Sequence, residues 1–525
     1  MDLKCPIILV LLSFISIVSG YKILFLVPFS GHSHWLQLQN FVKELLKRGH
    51  EVTAIVNYPI NNFKSPNYTE ILIDPPFNMS TILSQEEAQQ RSDESYFEKI
   101  RSFDKFCTES GEYGLNHSNV QKIIHSEDLK FDLVINSDFY HESWFMFAYK
   151  FNAPFISICP YEYSDSFDRA MGLLTPISHV PNRFLPYGDD MSYLERVHNV
   201  IVSAYEWAFR NWVLLPKQNA IAQRYFGHLA KPGLPLPNVG DFYQNISMIF
   251  VNSHPSISKP RPLMPGIIQY GGAHIKPPKP LPADLQQFLD DSKYGVVFFS
   301  LGSHLQSSKL PKEKIDIFVN ALGKLKQRVI WKFENESYKV PPNILIRKWL
   351  PQSDILAHPN VVLFIAHGGI SGLFEGTARG VPMMFIPFFA DQQRNALKSV
   401  ASGNALSLEF SKLTSELFEA TLQEMINNKA YLNRAKELAV LFNDNLMHPL
   451  DEAIFWIEYV IRSKGAKHLK SYAVNMSWFS YLLLDIFIIP VIAIFIIYLA
   501  LKSISKSFIS SDNKKRKKIK TKKTN

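Results

Sequence analysis

The feature that most constrains this fold is a repeated pattern on both sides of a proline-dense segment. Short apolar runs end in polar or glycine-containing turns, and helical spacing follows each turn. Residues 21–27 are such a run, closed by Pro28 and Gly31, and read as a buried parallel strand. Residues 35–48 have helical spacing, basic residues in the last turn and Gly49 as a plausible cap. Residues 51–56 read as the next strand and complete a βαβ unit, and 131–135 and 155–158 add further strands. Residues 160–245 mix helical pattern with aromatics and specify little. Eight prolines fall within residues 255–282, a density that suits an extended linker. Beyond it, strands at 295–299, 328–333, 361–365 and 381–385 alternate with helices at 311–324 and 370–379, and 413–441 reads as helical. Such alternation predicts an α/β chain with two Rossmann-like parallel-sheet domains facing a cleft.

Composition removes several alternatives. Three cysteines in 525 residues exclude a disulfide scaffold and a cysteine-built zinc domain, and whether Cys107 and Cys159 pair is open. The formal charge of +9 lies entirely in residues 502–525, where ten Lys or Arg face one acid, Asp512. The rest is nearly neutral, which argues against a nucleic-acid binder.

The two ends predict a compartment. Residues 1–20 carry Lys4, an apolar run and Ser19-Gly20, the form of a secretory signal peptide, with the mature chain starting near Tyr21. Residues 478–501 are almost wholly apolar and long enough to span a bilayer as one transmembrane helix. Trp478, Tyr481 and Tyr498 lie toward its ends, while Asp485, about two turns inside, and Pro490 interrupt it. The basic run at residues 514–518 places the tail, residues 502–525, in the cytosol and residues 21–477 in the lumen, a single-pass type I arrangement. Lys522 and Lys523 resemble a dilysine signal for retrieval to the endoplasmic reticulum membrane. Sequons begin at Asn67, Asn78, Asn116, Asn245 and Asn335, and a further one, at Asn475, is too close to the span to be reached.

Two constellations carry chemistry. The stretch 349–392 contains Trp349 and Gln352, then His367-Gly368-Gly369 between a strand and a helix, then Ser371, Glu375 and Asp391-Gln392. An indole face can stack on a planar base, and bare glycine backbone lets N–H groups and a helix N-terminus approach a diphosphate. Glu375 can accept from ribose hydroxyls, Asp391-Gln392 follows a strand where sugar hydroxyls can be held, and Ser303 adds a hydroxyl to the phosphates. The second constellation, Gly31-His32-Ser33-His34-Trp35, follows the first strand.

The stretch 349–392 closely resembles the signature segment of the UDP-glycosyltransferases, and the likeness extends over residues 21 to about 501. It is nearest to animal, insect-like membrane enzymes of that family. The resemblance implies a GT-B fold: an N-terminal acceptor-binding domain (21–254), a Pro-rich linker (255–282) and a C-terminal UDP-sugar-binding domain (283–477). It implies that the UDP-sugar is a co-substrate with no cofactor. No Asp-x-Asp occurs in the chain, so no metal is expected. A histidine after the first strand would be the general base; His34 fits that pattern best, and His32 is the alternative. Asp138, in the turn after the 131–135 strand, is the expected partner of the base, with Asp132 more structural. The expected reaction is an inverting transfer of a hexose to a hydroxyl of a small lipophilic acceptor, as in detoxification or metabolite conjugation.

Glucuronosyl relatives carry an Arg shortly before the linker, and residues 249–253 have none, which favours glucose; Arg261 is not far away. Ala366 replaces the usual Thr, and Ser371 stands where some relatives have Asn. Glucuronosyl transfer and a non-catalytic UDP-sugar-binding role are the alternatives. Acceptor identity and oligomeric state, a homo-oligomer included, stay open.

Overall fold

The computed structural model describes residues 20–28, 31–74, 94–161, 163, 165–303, 305–389 and 391–522. The expected signal peptide, apart from Gly20, lies outside them, as do Asn78 and Lys523. Asn67, Asn116, Asn245 and Asn335 are all exposed. Cys107 and Cys159 are buried free thiols.

The first sheet comprises β1 (Lys22–Leu26), β2 (Glu51–Val56), β3 (Tyr68–Leu72), β4 (Leu133–Ser137), β5 (Phe155–Cys159), β6 (Ile246–Val251) and β7 (Ile267–Gln269). Its seven strands are all parallel, in the order β3-β2-β1-β4-β5-β6-β7. The second comprises β8 (Val296–Ser300), β9 (Arg328–Lys332), β10 (Ile344–Arg347), β11 (Val361–Ala366), β12 (Met383–Phe385) and β13 (Ala405–Ser407). Its six parallel strands run β10-β9-β8-β11-β12-β13. Strands β1, β4, β8 and β11 are nearly or wholly buried on both faces, which is why they read as continuous apolar runs. In each sheet the strand order reverses at one point, between β1 and β4 and between β8 and β11. Crevices open at such points, outside the carboxyl ends of the strands.

The helices that shape the site are α1 (His32–Lys47), α2 (Tyr96–Asn116), α3 (Tyr193–Phe209), α4 (Ile370–Arg379), α5 (Gln392–Ala401) and α6 (Pro449–Arg462). The expected boundaries need two corrections. β7 falls inside the proline-rich linker, where its three residues add to the edge of the first sheet. Helix α6 falls within the expected C-terminal domain yet packs on the first sheet. Its Leu450, Ala453, Ile454 and Ile457 share one apolar cluster with Ile23, Phe25 and Leu38. Arg48 at the end of α1 pairs with Asp451 at 3.0 Å, so the chain crosses back before it leaves the globular unit.

Residues 471–525 form a separate compact unit. A short helix, Trp478–Tyr481, is broken at Leu483, whose φ is +57°, and α7 (Leu484–Lys522) follows. The stretch Leu484–Ser511 is long and apolar enough to cross a membrane and is unburied. Asp485 therefore lies in the first turn of α7 rather than about two turns inside a span starting at residue 478. Helix continues into the basic tail, for which the sequence pattern predicts no element.

Candidate active site

A cleft of about 1150 Å³ lies at the carboxyl ends of both sheets. Its first wall begins where β1 feeds α1. Gly31 precedes the helix, and its carbonyl accepts from the His34 N–H at 3.0 Å, which sets His34 in the first turn. His34 lines the cleft, its ring 5.3 Å from that of Phe139. His32 instead packs edge-on against Tyr58 at 4.8 Å and does not line the cleft.

Asp138 follows β4, the strand beside β1, so it and His34 occupy neighbouring strand ends. It is buried behind the cleft wall and accepts from the Ser157 hydroxyl at 3.4 Å. Burial, with the Glu142 charge adding, pushes its carboxyl up to about 6, against the pull of Arg210 and Arg183. Asp132 lies at the opposite end of the sheet, accepting from the Lys22 N–H at 2.8 Å.

The second wall carries all nine expected donor-site residues: Ser303, Trp349, Gln352, His367, Gly369, Ser371, Glu375, Asp391 and Gln392 all line the cleft. β8 delivers the turn to Ser303, and β11 runs straight into His367 and α4. The His367 imidazole is clamped between two glycines. A Cβ on Gly302, which has φ +81°, would come within 2.5 Å of its Cε1, and one on Gly369 within 2.5 Å of its Nε2. Gly369 begins α4 with no side-chain cap on the helix N–H groups. Asn395 of α5 donates to the Gly368 carbonyl at 2.9 Å and to Asp391 Oδ2 at 2.8 Å, joining two loops. Gln392 accepts from the Phe388 N–H at 2.9 Å, so its carbonyl end holds the loop. Gln352 donates to Glu375 at 2.5 Å, and burial pushes that carboxyl up to about 7 despite this bond. Trp349 stands on the rim, 61% exposed.

Sequence reasoning missed the bridge between the walls. Gln37, one turn beyond His34, donates to the Ser371 hydroxyl and accepts from Asn252 Nδ2 at 2.7 Å. His274, in the proline-rich segment, also lines the cleft, its imidazole pushed down to about 4 by burial. The i, i+3 spacing from His34 was a signal for Gln37; nothing marked His274. On the first domain's side the cleft is walled by Phe103, Phe106, Phe139, Tyr161 and Phe184. Arg261 is engaged elsewhere, paired with Asp168 at 2.6 Å and stacked 3.8 Å from the Tyr163 ring centroid.

Residues 22–518 match the family described as UDP-glucoronosyl and UDP-glucosyl transferase. The chain belongs to this family. Among similar UDP-glycosyltransferases, UDP-glucosyltransferase 2 of Dactylopius coccus is 36% identical over 470 residues, 89% of each chain. Human UDP-glucuronosyltransferase 2B15 is 30% identical over 478 residues, 87% of each. Two solved structures share the fold, each with a TM-score of 0.55. The glycosyltransferase of kitacinnamycin is 19% identical and covers 84% of this chain and 99% of its own. The UDP-glucose: anthocyanidin 3-O-glucosyltransferase in complex with UDP is 16% identical and covers 85% and 100%. The fold is thus GT-B, and the chain is a glycosyltransferase enzyme whose family implies a UDP-sugar donor.

Proposed function

We propose that this UDP-glycosyltransferase moves glucose from UDP-glucose to a hydroxyl of a small lipophilic acceptor, with inversion at the sugar. His34 takes the hydroxyl proton. The oxygen attacks the anomeric carbon as the bond to UDP breaks, and UDP leaves with that electron pair. Developing phosphate charge meets the uncapped N–H groups that open α4, beside Ser303 and His367. Asp138, at the neighbouring strand end, stabilises the imidazolium; with its carboxyl near 6 it is largely ionised at neutral pH. Trp349 stacks on uracil, Glu375 accepts from the ribose, and Asp391 and Gln392 hold sugar hydroxyls. The aromatic wall suits an apolar acceptor.

One observation carries the reading: His34 and the whole expected donor set line a single cleft. Its test is glycoside formation on a phenol panel with UDP-glucose or UDP-glucuronate, by the full chain and His34→Ala in microsomes. Glucosides that disappear in the variant support it. Transfer from UDP-glucuronate alone moves the assignment to the second reading, favoured by Arg394, which lines the cleft three residues beyond Asp391. Against that reading, Arg261 is held by Asp168.

The apolar helix and basic tail support a membrane-anchored chain with its catalytic unit in the lumen of the endoplasmic reticulum. The exposed sequon asparagines are compatible with glycosylation there.

A further inference from the structure

Helix α3 is amphipathic in an unusual sense. Its inner side buries Asn199 and Val202 and carries Glu206, which accepts from Tyr140 at 2.6 Å and pairs with Arg183 at 3.3 Å. Its outer side is apolar and exposed: Leu194 is 75% exposed and Ile201 52%, with Val197 and Val200 alongside. At about 100° per residue these positions, with Ala204 and Trp207, fall on one stripe roughly 140° wide. No Asp, Glu, Lys or Arg of α3 falls on it.

The stripe does not stop with the helix. Residues Arg210–Leu214 form a π-turn, which widens the turn so that residues five apart align. Trp212 is thereby brought against Trp207, with ring centroids 5.9 Å apart and the planes at 72°, and it remains 72% exposed. The face runs roughly 30 Å along the surface. Arg196 is exposed at its border.

We propose that α3 with its π-turn is an interfacial membrane helix, laid into the boundary between headgroups and acyl chains. The inference rests on the membrane-anchored reading above. Three observations select lipid over a protein partner. The face is a convex helix side with no charge, ending in two indoles, a residue type that favours this boundary. Arg196 stands at its edge, where lipid phosphates would lie. The chain's own apolar helix, Leu484–Ser511, would hold any such face at high effective concentration beside a bilayer. The consequence is functional. α3 packs on α2, with Phe97 against Tyr205 at 4.7 Å, and the Tyr96, Lys99 and Phe103 side chains of α2 line the cleft. The acceptor half of the site would then sit beside the layer in which lipophilic acceptors concentrate.

The test uses the full chain in phosphatidylcholine vesicles containing a doxyl-labelled lipid. An NBD fluorophore is placed on Val200→Cys, and in a second variant on the exposed Glu313→Cys of the other domain. Both positions are exposed, and retained UDP binding certifies folding. Emission at position 200 is expected to fall at least about twofold with the doxyl lipid, against no change at 313, because an interfacial helix sits within roughly 10 Å of the quencher. Flotation with vesicles after an alkaline wash reports the anchoring helix separately. Flotation without quenching at 200 overturns the inference and leaves the anchor standing. A blue-shifted but unquenched label overturns it in favour of a protein cover. A chain that fails to float removes the anchored reading and this inference with it.

Discussion

Gln37 of α1 donates a hydrogen bond across the cleft to the hydroxyl of Ser371, the second residue of α4. Asn252 holds the other end of the Gln37 amide. The contact joins the helix that carries His34 to the helix whose N-terminus is proposed to meet the diphosphate. Removing either partner is expected to lower kcat/KM about two- to tenfold, the range of one hydrogen bond. A double-mutant cycle of Gln37→Ala and Ser371→Ala decides the point. Losses that fail to add show that the bridge acts as a unit, and strictly additive losses count against it.

The two candidate bases separate by place. His34 lines the cleft, whereas His32 is packed on Tyr58. His34→Ala is expected to reduce kcat roughly a hundred- to ten-thousand-fold with UDP affinity retained. His32→Ala is expected to keep kcat near wild type while lowering Tm, since it removes an edge-on ring contact. Single-turnover kinetics and thermal melts on both variants check this, and a reversed pattern would transfer the assignment to His32.

Much of the second cleft wall was legible because sequence pattern and fold coincide along the chain. β11 is one apolar run, and the residues that follow it at once are His367, Gly368 and Gly369. What crosses between elements was not legible. The apolar spacing of α6 shows that one face is buried, but not that it is buried on the first sheet. Gln37, Asn252 and His274 are ordinary polar residues singly, and only folding brings the first two together. The aromatic wall gathers residues from 103 to 184, and two of them, Tyr161 and Phe184, fall in the 160–245 stretch whose pattern specifies little. β7 is three residues long in a segment dominated by proline, so neither length nor composition marked it.

The clamp on His367 leaves no room for a methyl group. Gly302→Ala would add a Cβ about 2.5 Å from the imidazole at a φ of +81°, so overpacking and backbone strain combine. A loss of about 2–4 kcal/mol in stability is expected. A displaced His367 should also weaken UDP by at least about tenfold, the effect of losing roughly 1.4 kcal/mol. Calorimetric titration with UDP measures this, and undiminished affinity in Gly302→Ala would show that the ring is not part of the phosphate site.

If Glu375 accepts from the ribose, as proposed, donor binding and stability are expected to respond to pH in opposite directions. Burial raises its carboxyl to about 7, so the free protein favours the protonated form. Its contribution to stability is fully present below the ordinary carboxylate range and is lost as pH rises through about 7. Ribose hydroxyls donate, so a nucleotide that binds here favours the ionised form. UDP affinity should therefore rise between pH 6 and pH 8, by up to about tenfold for a group that titrates midway, while the Tm of the free protein falls over the same interval. Glu375→Gln keeps the bond-forming shape but cannot ionise, so it should flatten the affinity curve and lessen the fall in Tm, of which the buried Asp138, raised to about 6, keeps a share. If UDP affinity in the wild type is level across this range while the Tm still falls, Glu375 is a buried structural acid and the ribose contact is wrong.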